Sequence, residues 1–217
     1  MDPTQSSNRI KSFAALRNLV RPAEPPERCD LCNTGIRVDH HHLLNTDSRR
    51  LVCVCQSCDL LLTDPSSSYK RVPRRVTLLS DYQLSDAQWD SLQIPINLAF
   101  FFKSSKTGRI ATIYPSPAGP TESLLDPGWD STSRNPILDS LEPDVEGLLV
   151  NRVGENRQYF IAPIDACYEL VGVIRSHWRG LSGGKEMWRE VDGFFERLNK
   201  RSANADFSQV RKNPQRR

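Results

Sequence analysis

Apolar residues recur along this chain in two rhythms, helical at its ends and strand-like through its middle. Over residues 9–20, Ile10, Phe13, Leu16, Leu19 and Val20 fall near one helical face, which predicts a short amphipathic helix. Pro22, Pro25 and Pro26 end it and stiffen the connection to Cys29. Two strand candidates follow, residues 41–44 and 50–55, around the polar turn Asn45-Thr46-Asp47-Ser48. A short apolar helix over Leu60-Leu61-Leu62 stops before Pro65. After the basic link at residues 70–75, Ser85-Asp86-Ala87-Gln88-Trp89 has the form of a capped helical turn. Residues 96–102 and 109–114 flank Lys106-Thr107-Gly108 and predict a hairpin. Residues 146–152 and 158–162 flank Gly154-Glu155-Asn156 and predict a second, with a short helix over 135–141 between the two.

Two helical stripes close the pattern. Asp165 is the expected N-cap of the first, which carries Cys167, Leu170, Val171, Ile174 and Trp178. The second, about residues 185–199, carries Trp188, Val191, Phe195 and Leu198. Gly180-Leu181-Ser182-Gly183-Gly184 between them lacks the spacing and the preceding strand of a phosphate-binding loop, so it reads as a helix–helix turn. Cys167, on an apolar stripe, reads as core.

Five of the six cysteines interrupt this pattern between Cys29 and Cys58. Cys29-Asp30-Leu31-Cys32 and Cys55-Gln56-Ser57-Cys58 are paired Cys-x-x-Cys turns, each able to bring two sulfurs to one ion. Cys29, Cys32, Cys55 and Cys58 are therefore the expected ligands of one zinc ion, with iron in a rubredoxin-like site as the alternative. The competing reading, reduced buried thiols, fits poorly with the polar Asp30, Asn33, Gln56 and Ser57 around them. A turn, a hairpin and a helix whose first turn carries the last ligands form a treble-clef arrangement. Cys53 is surplus, and alternation puts it on the face of Cys55. His40 and His42 share one strand face while His41 points to the other. Cys53, His40 and His42 are thus alternative ligands, or hydrogen-bond partners of the thiolates.

Composition narrows the class. With 38% hydrophobic residues and 15 prolines among 217, one sizeable core and a small satellite fit, and some length is linker or tail. The polar start, Met1 to Ser7, lacks an apolar signal region and no stretch reaches membrane-spanning length. The expectation is a cytoplasmic, reduced protein in which clustered cysteines hold metal rather than disulfides. Net charge is +4 over residues 1–75, −6 over 76–199 and +5 over 200–217. An acidic body argues against a nucleic-acid binder, leaving Arg49, Arg50, Lys70, Arg71, Arg74 and Arg75 as the contacts of that alternative. The fold class is α+β: residues 1–26 a helix and Pro-rich linker, 27–70 a zinc module, 71–199 an α+β domain of two hairpins and two C-terminal helices, and 200–217 a basic disordered tail. With His177 the only histidine outside the cluster, no general base stands out and a non-enzyme is expected.

Several motifs carry a resemblance. They are Asp47-Ser48-Arg49-Arg50-Leu51 running into Cys53, Cys55 and Cys58; Tyr114-Pro115-Ser116-Pro117-Ala118-Gly119 with Thr121-Glu122-Ser123-Leu124-Leu125; and His177-Trp178-Arg179-Gly180-Leu181-Ser182-Gly183-Gly184. With the first Cys pair and His41-His42-Leu43-Leu44, they make residues 29–195 resemble an uncharacterised bacterial family often encoded beside nickel–iron hydrogenase genes. The resemblance implies an accessory or maturation role, with a hydrogenase subunit or maturation factor as protein partner, and no catalytic residues. Tyr114, Pro115, Trp178 and Arg179 are the candidate partner contacts. A more distant likeness to treble-clef His-Asn-His nucleases stops at Asp39-His40, because Asp59-Leu60-Leu61-Leu62 follows Cys58 where a partner histidine would stand.

Overall fold

The computed structural model describes residues 27–64, 66–123 and 135–205. The helix expected over 9–20, its Pro-rich connection and residues 206–217 of the expected tail lie outside the described residues. The described elements begin with β1 (His41–Asn45) and β2 (Arg50–Val54), an antiparallel hairpin pairing His42 with Cys53. Its turn closes on Asn45, whose Oδ1 accepts from the Asp47 amide at 3.1 Å and the Ser48 amide at 2.9 Å. Helix α1 (Gln56–Leu62) follows directly, and β3 (Tyr69–Arg71) returns to pair with β1, giving a three-stranded sheet in the order β2-β1-β3. Its private core is small: Cys29, Leu43, Val52 and Val54.

The second sheet is built from β4 (Thr77–Leu79), β5 (Leu98–Lys103), β6 (Ile110–Ser116), β7 (Gly119–Glu122), β8 (Glu146–Asn151), β9 (Gln158–Pro163) and β10 (Ala203–Ala205). Their order is β10-β4-β9-β8-β5-β6-β7, antiparallel except where β10 runs parallel to β4. The two expected hairpins meet at β5 and β8, where Phe100 faces Leu149. Helices α2 (Asp86–Ser91), α3 (Pro136–Ser140), α4 (Ile164–His177) and α5 (Gly184–Arg201) complete the described residues, an α+β fold with five helices. None of these helices is long and apolar enough to cross a membrane.

Alternation explains why both faces of this sheet are covered. Leu98, Phe100, Phe102, Leu149, Phe160 and Ala162 pack on the side of α4 and α5, together with Cys167, Leu170, Ile174, Val191 and Phe195. Ala99, Phe101, Leu148, Val150, Tyr159 and Ile161 pack on the other side, against Trp89, Leu92, Ile137 and Leu138. Strands buried on both faces read as unbroken apolar runs, as residues 98–102 do. The capped turn at Ser85 is present, with Ser85 and Gln88 forming a reciprocal capping box.

Several elements differ from expectation. The N-cap of α4 is Pro163, not Asp165, because β9 runs straight into the helix and leaves Asp165 in its first turn. Residues 114–122 close a tight hairpin between β6 and β7, with Tyr114 opposite Thr121 and Pro115 opposite Pro120, a pairing the sequence pattern does not predict. Pro120 is tolerated there because β7 is an edge strand and needs no outward amide. Helix α5 extends to Arg201 and β10 to Ala205, past residue 199 where the domain was expected to end. In the helix–helix turn, Gly183 has φ +88°, a conformation that favours glycine, and a Cβ there would also force the Met187 side chain to shift.

The two sheets share a core, since Leu44 of β1 and Val72 join the cluster under α4 and α5. Polar ties reinforce the junction. Arg49 lies 5.3 Å from the centre of the Phe102 ring, and Lys70 Nζ bonds Asp144 Oδ2 at 2.8 Å and the Pro143 carbonyl at 3.2 Å. Burial by itself would raise the Asp144 carboxyl, but hydrogen bonds from Lys70 and the Ser105 amide outweigh it and hold its pKa below the ordinary 3.8. A depressed folded pKa means stability present above the ordinary value and lost as pH falls through the folded one. Asp144→Asn keeps a residue suited to the φ of +71°. It should cost about 1–3 kcal/mol at neutral pH, with the difference from wild type closing as acid protonates Asp144. Chemical unfolding at several pH values checks this.

Candidate metal centre

The first Cys pair sits in a turn outside the strands. The Cys29 amide donates to the Thr34 carbonyl at 2.8 Å, the Asn33 amide to the Cys29 carbonyl at 2.9 Å, and Asn33 takes φ +61° to close the turn. Asp30 clamps that turn onto β2: its amide donates to the Cys53 carbonyl at 2.8 Å, and its Oδ2 accepts from the Cys53 amide at 2.7 Å. The second pair opens α1. Cys55 is the N-cap, its sulfur accepting from the Cys58 amide at 3.5 Å. Buried Asp59 on the same helix accepts from Arg71 Nε at 2.7 Å, fixing α1 to β3.

These contacts bring the sulfurs of Cys29, Cys32, Cys55 and Cys58 within 4.8 Å of one another, with Cys32 and Cys55 3.6 Å apart. Four thiolates about 2.3 Å from a central ion stand roughly 3.8 Å apart at a tetrahedron's edge. The donor set and its spacing therefore suit a metal ion. The thiols respond unequally to the crowding. Hydrogen bonds from the Thr34 side chain and amide pull Cys32 down to about 6, while burial and the neighbouring cysteines push Cys58 up to about 12. Burial raises Cys29, but backbone hydrogen bonds at Cys55, Cys32 and Leu31 prevail and its pKa is lowered. Like charges so close cannot all form without a cation among them.

Cys53, His40 and His42 do not belong to the four-sulfur group but make a second one, their ligand atoms also within 4.8 Å of one another. Burial, then the charges of Asp30 and Glu27, raise the Cys53 thiol. His41 faces Val54 and is in neither group. Asp165 was not singled out as a site residue: its Oδ2 lies 2.6 Å from His42 Nδ1, across 123 residues of sequence. Only a helix pattern marked it in the sequence, as an N-cap. Cys167 is fully buried and its thiol is pushed up by burial.

The candidate partner contacts are scattered. Pro115 is buried and Tyr114 half-buried against the α2–α3 side of the sheet. Trp178 is half-buried and donates to the Gly180 carbonyl at 2.8 Å, beside exposed Arg179. The basic residues of the nucleic-acid alternative are largely engaged within the chain: Arg49 with Glu122, Lys70 with Asp144, Arg71 with Asp59 and Arg75 with Glu146. Arg74 donates to the carbonyls of Asp39 and His40.

The model of a family of unknown function (DUF5947) matches residues 28–202, and the chain belongs to that family. No curated protein and no solved structure matches the chain.

Proposed function

We propose that this chain is a metal-binding accessory protein whose treble-clef module holds one structural zinc, and that it supports assembly or maturation of a nickel–iron hydrogenase by protein–protein contact. The observation that carries the metal reading is the four-sulfur cluster. Four thiolates fill a tetrahedral site and leave no position for water, the pattern of zinc that stabilises a fold. The partner reading rests on the motif resemblance, and exposed apolar side chains around the same site favour contact with protein. Leu60 and Leu61 on α1 are 67% and 77% exposed, and Leu31 in the first Cys turn is 40% exposed. Apolar groups left in water on a rigid, metal-braced element are chemistry for a docking surface.

Elemental analysis and a visible spectrum test the metal: at least one zinc per chain, without visible absorption, is expected. Stoichiometric iron with a reversible thiolate-to-iron band would replace this reading with electron transfer. For the partner, deletion in a hydrogenase-bearing cell should reduce hydrogen uptake, and affinity capture should recover a hydrogenase subunit or maturation factor. Unchanged uptake and subunit processing, with no such component captured, would end the accessory reading.

A further inference from the structure

His40 and His42 sit at the start of β1 with their ring nitrogens held in a particular way. His42 Nδ1 lies 2.6 Å from Asp165 Oδ2. His40 Nδ1 lies 2.8 Å from the Arg37 carbonyl and 3.2 Å from Glu27 Oε2. Carbonyl and carboxylate oxygens only accept, so both Nδ1 atoms carry the proton and donate. Each Nε2 of a neutral ring is then a bare lone pair. Yet the two Nε2 atoms are 3.0 Å apart, an arrangement of two acceptors with no donor between them. Such a pair repels unless a cation lies between, and the Cys53 sulfur stands within 4.8 Å of one ring nitrogen of each histidine.

We infer that His40 Nε2, His42 Nε2 and Cys53 Sγ form a second metal site, distinct from the four-cysteine centre, for a divalent ion of zinc-like character. The donor set fits the class. Imidazole and thiolate are the preferred ligands of zinc, and nitrogens about 2.0–2.1 Å from a tetrahedral ion lie roughly 3.3 Å apart, near the observed separation. The surroundings fit it too. A metal-bound histidine typically donates its other nitrogen to a carboxylate or carbonyl, which fixes the ring and strengthens the ligand. Asp165 does this for His42, and the Arg37 carbonyl for His40. The pairing of β1 with β2 sets Cys53 directly opposite His42, so sheet register holds the third ligand in place.

The two centres differ in kind. Four thiolates close the first site, whereas three protein ligands leave the second with a fourth position. His40 and His42 line an open cleft of about 440 Å³ together with Asp165, Arg74 and Arg201. A fourth ligand, water or an anion, would reach the ion from that cleft, which Arg74 and Arg201 also line.

Titration of the metal-free full-length chain with Co²⁺ under reducing conditions tests the site. Two equivalents are expected, one with the intense charge-transfer absorption of four thiolates and one with the weaker absorption of a single thiolate and two imidazoles. Cys53→Ala and His40→Gln should each take up one equivalent and keep the four-thiolate spectrum. Asp165→Asn preserves an acceptor for His42, and so the fold, but should weaken the second equivalent about 10–100-fold. A single equivalent in wild type that carries the four-thiolate spectrum overturns the proposal and assigns the two histidines a shared proton instead. Two equivalents that are unchanged in Asp165→Asn and in whichever of the other variants folds overturn the ligand assignment. Loss of the four-thiolate spectrum alone would strike the structural zinc and leave the second site standing, so the two failures are distinguishable.

Discussion

Cys55→Ser is expected to abolish metal binding at the four-sulfur centre and to unfold the segment from Arg28 to Arg71, while the seven-stranded sheet stays folded. Cys55 carries two duties. It is one of four ligands, and it is the N-cap whose sulfur and carbonyl receive the Cys58 and Asp59 amides. A serine hydroxyl can still cap a helix, so the loss isolates the metal role. Apparent zinc binding in small cysteine sites is worth about 10–16 kcal/mol, and that binding energy is folding energy. Among the described residues the buried core beneath the site is Cys29, Leu43, Val52 and Val54, with Ile36, Leu62 and Tyr69 half-buried beside it, too little apolar surface to hold a three-stranded sheet without the ion. The second core is different: it joins β5, β6, β8 and β9 to α4 and α5 with none of the four sulfur ligands among its members, and the metal module supplies only Leu44 and Val72 to its buried residues. The measurements are zinc content, limited proteolysis and circular dichroism. Loss of zinc, rapid cleavage within residues 28–62 and retention of most helical signal are the expected results. A variant whose Co²⁺ form keeps the intense charge-transfer absorption of several thiolates would show that three sulfurs suffice.

The parts of the fold legible in the sequence were those set by neighbours in sequence. The strands around Lys106-Thr107-Gly108 and Gly154-Glu155-Asn156 read correctly because a hairpin's register follows from its turn. The stripes of α4 and α5 read correctly because a buried helical face repeats every three or four residues. Met187 and Phe194 were missed on α5, since they widen the apolar face beyond the expected stripe. Tyr69-Lys70-Arg71 carries no alternation, and Gly119-Pro120-Thr121-Glu122 has two residues that disfavour strands. Both are strands only because a longer partner offers them an edge. The four-sulfur cluster was legible from spacing, because each turn brings its own pair together. The bond from His42 to Asp165 was not, for it depends on β1 docking beside the first turn of α4.

Phe100→Ala should remove about 3–5 kcal/mol of stability, the cost of deleting a buried aromatic ring and leaving a cavity. Phe100 is fully buried on β5, the strand that joins the two hairpins, between Ile113 of β6 and Leu149 of β8. Its ring stacks with Phe102 at 6.4 Å and meets the Tyr168 ring of α4 edge-on at 5.6 Å, so truncation removes partners on the sheet and the helix together. Gly147 makes the site tight as well. A Cβ on it would approach the Phe100 ring at 3.9 Å and the Cys167 sulfur at 3.3 Å, which leaves little room for neighbours to collapse inward. Domains of this size are stable by only about 5–15 kcal/mol, so the variant should unfold at a much lower urea concentration with its slope unchanged. Zinc content should stay stoichiometric below that midpoint, since no ligand of the four-sulfur centre touches this ring cluster. A loss under about 1 kcal/mol would mean that the sheet repacks around the cavity, and that β5 is not the seam on which the two hairpins depend.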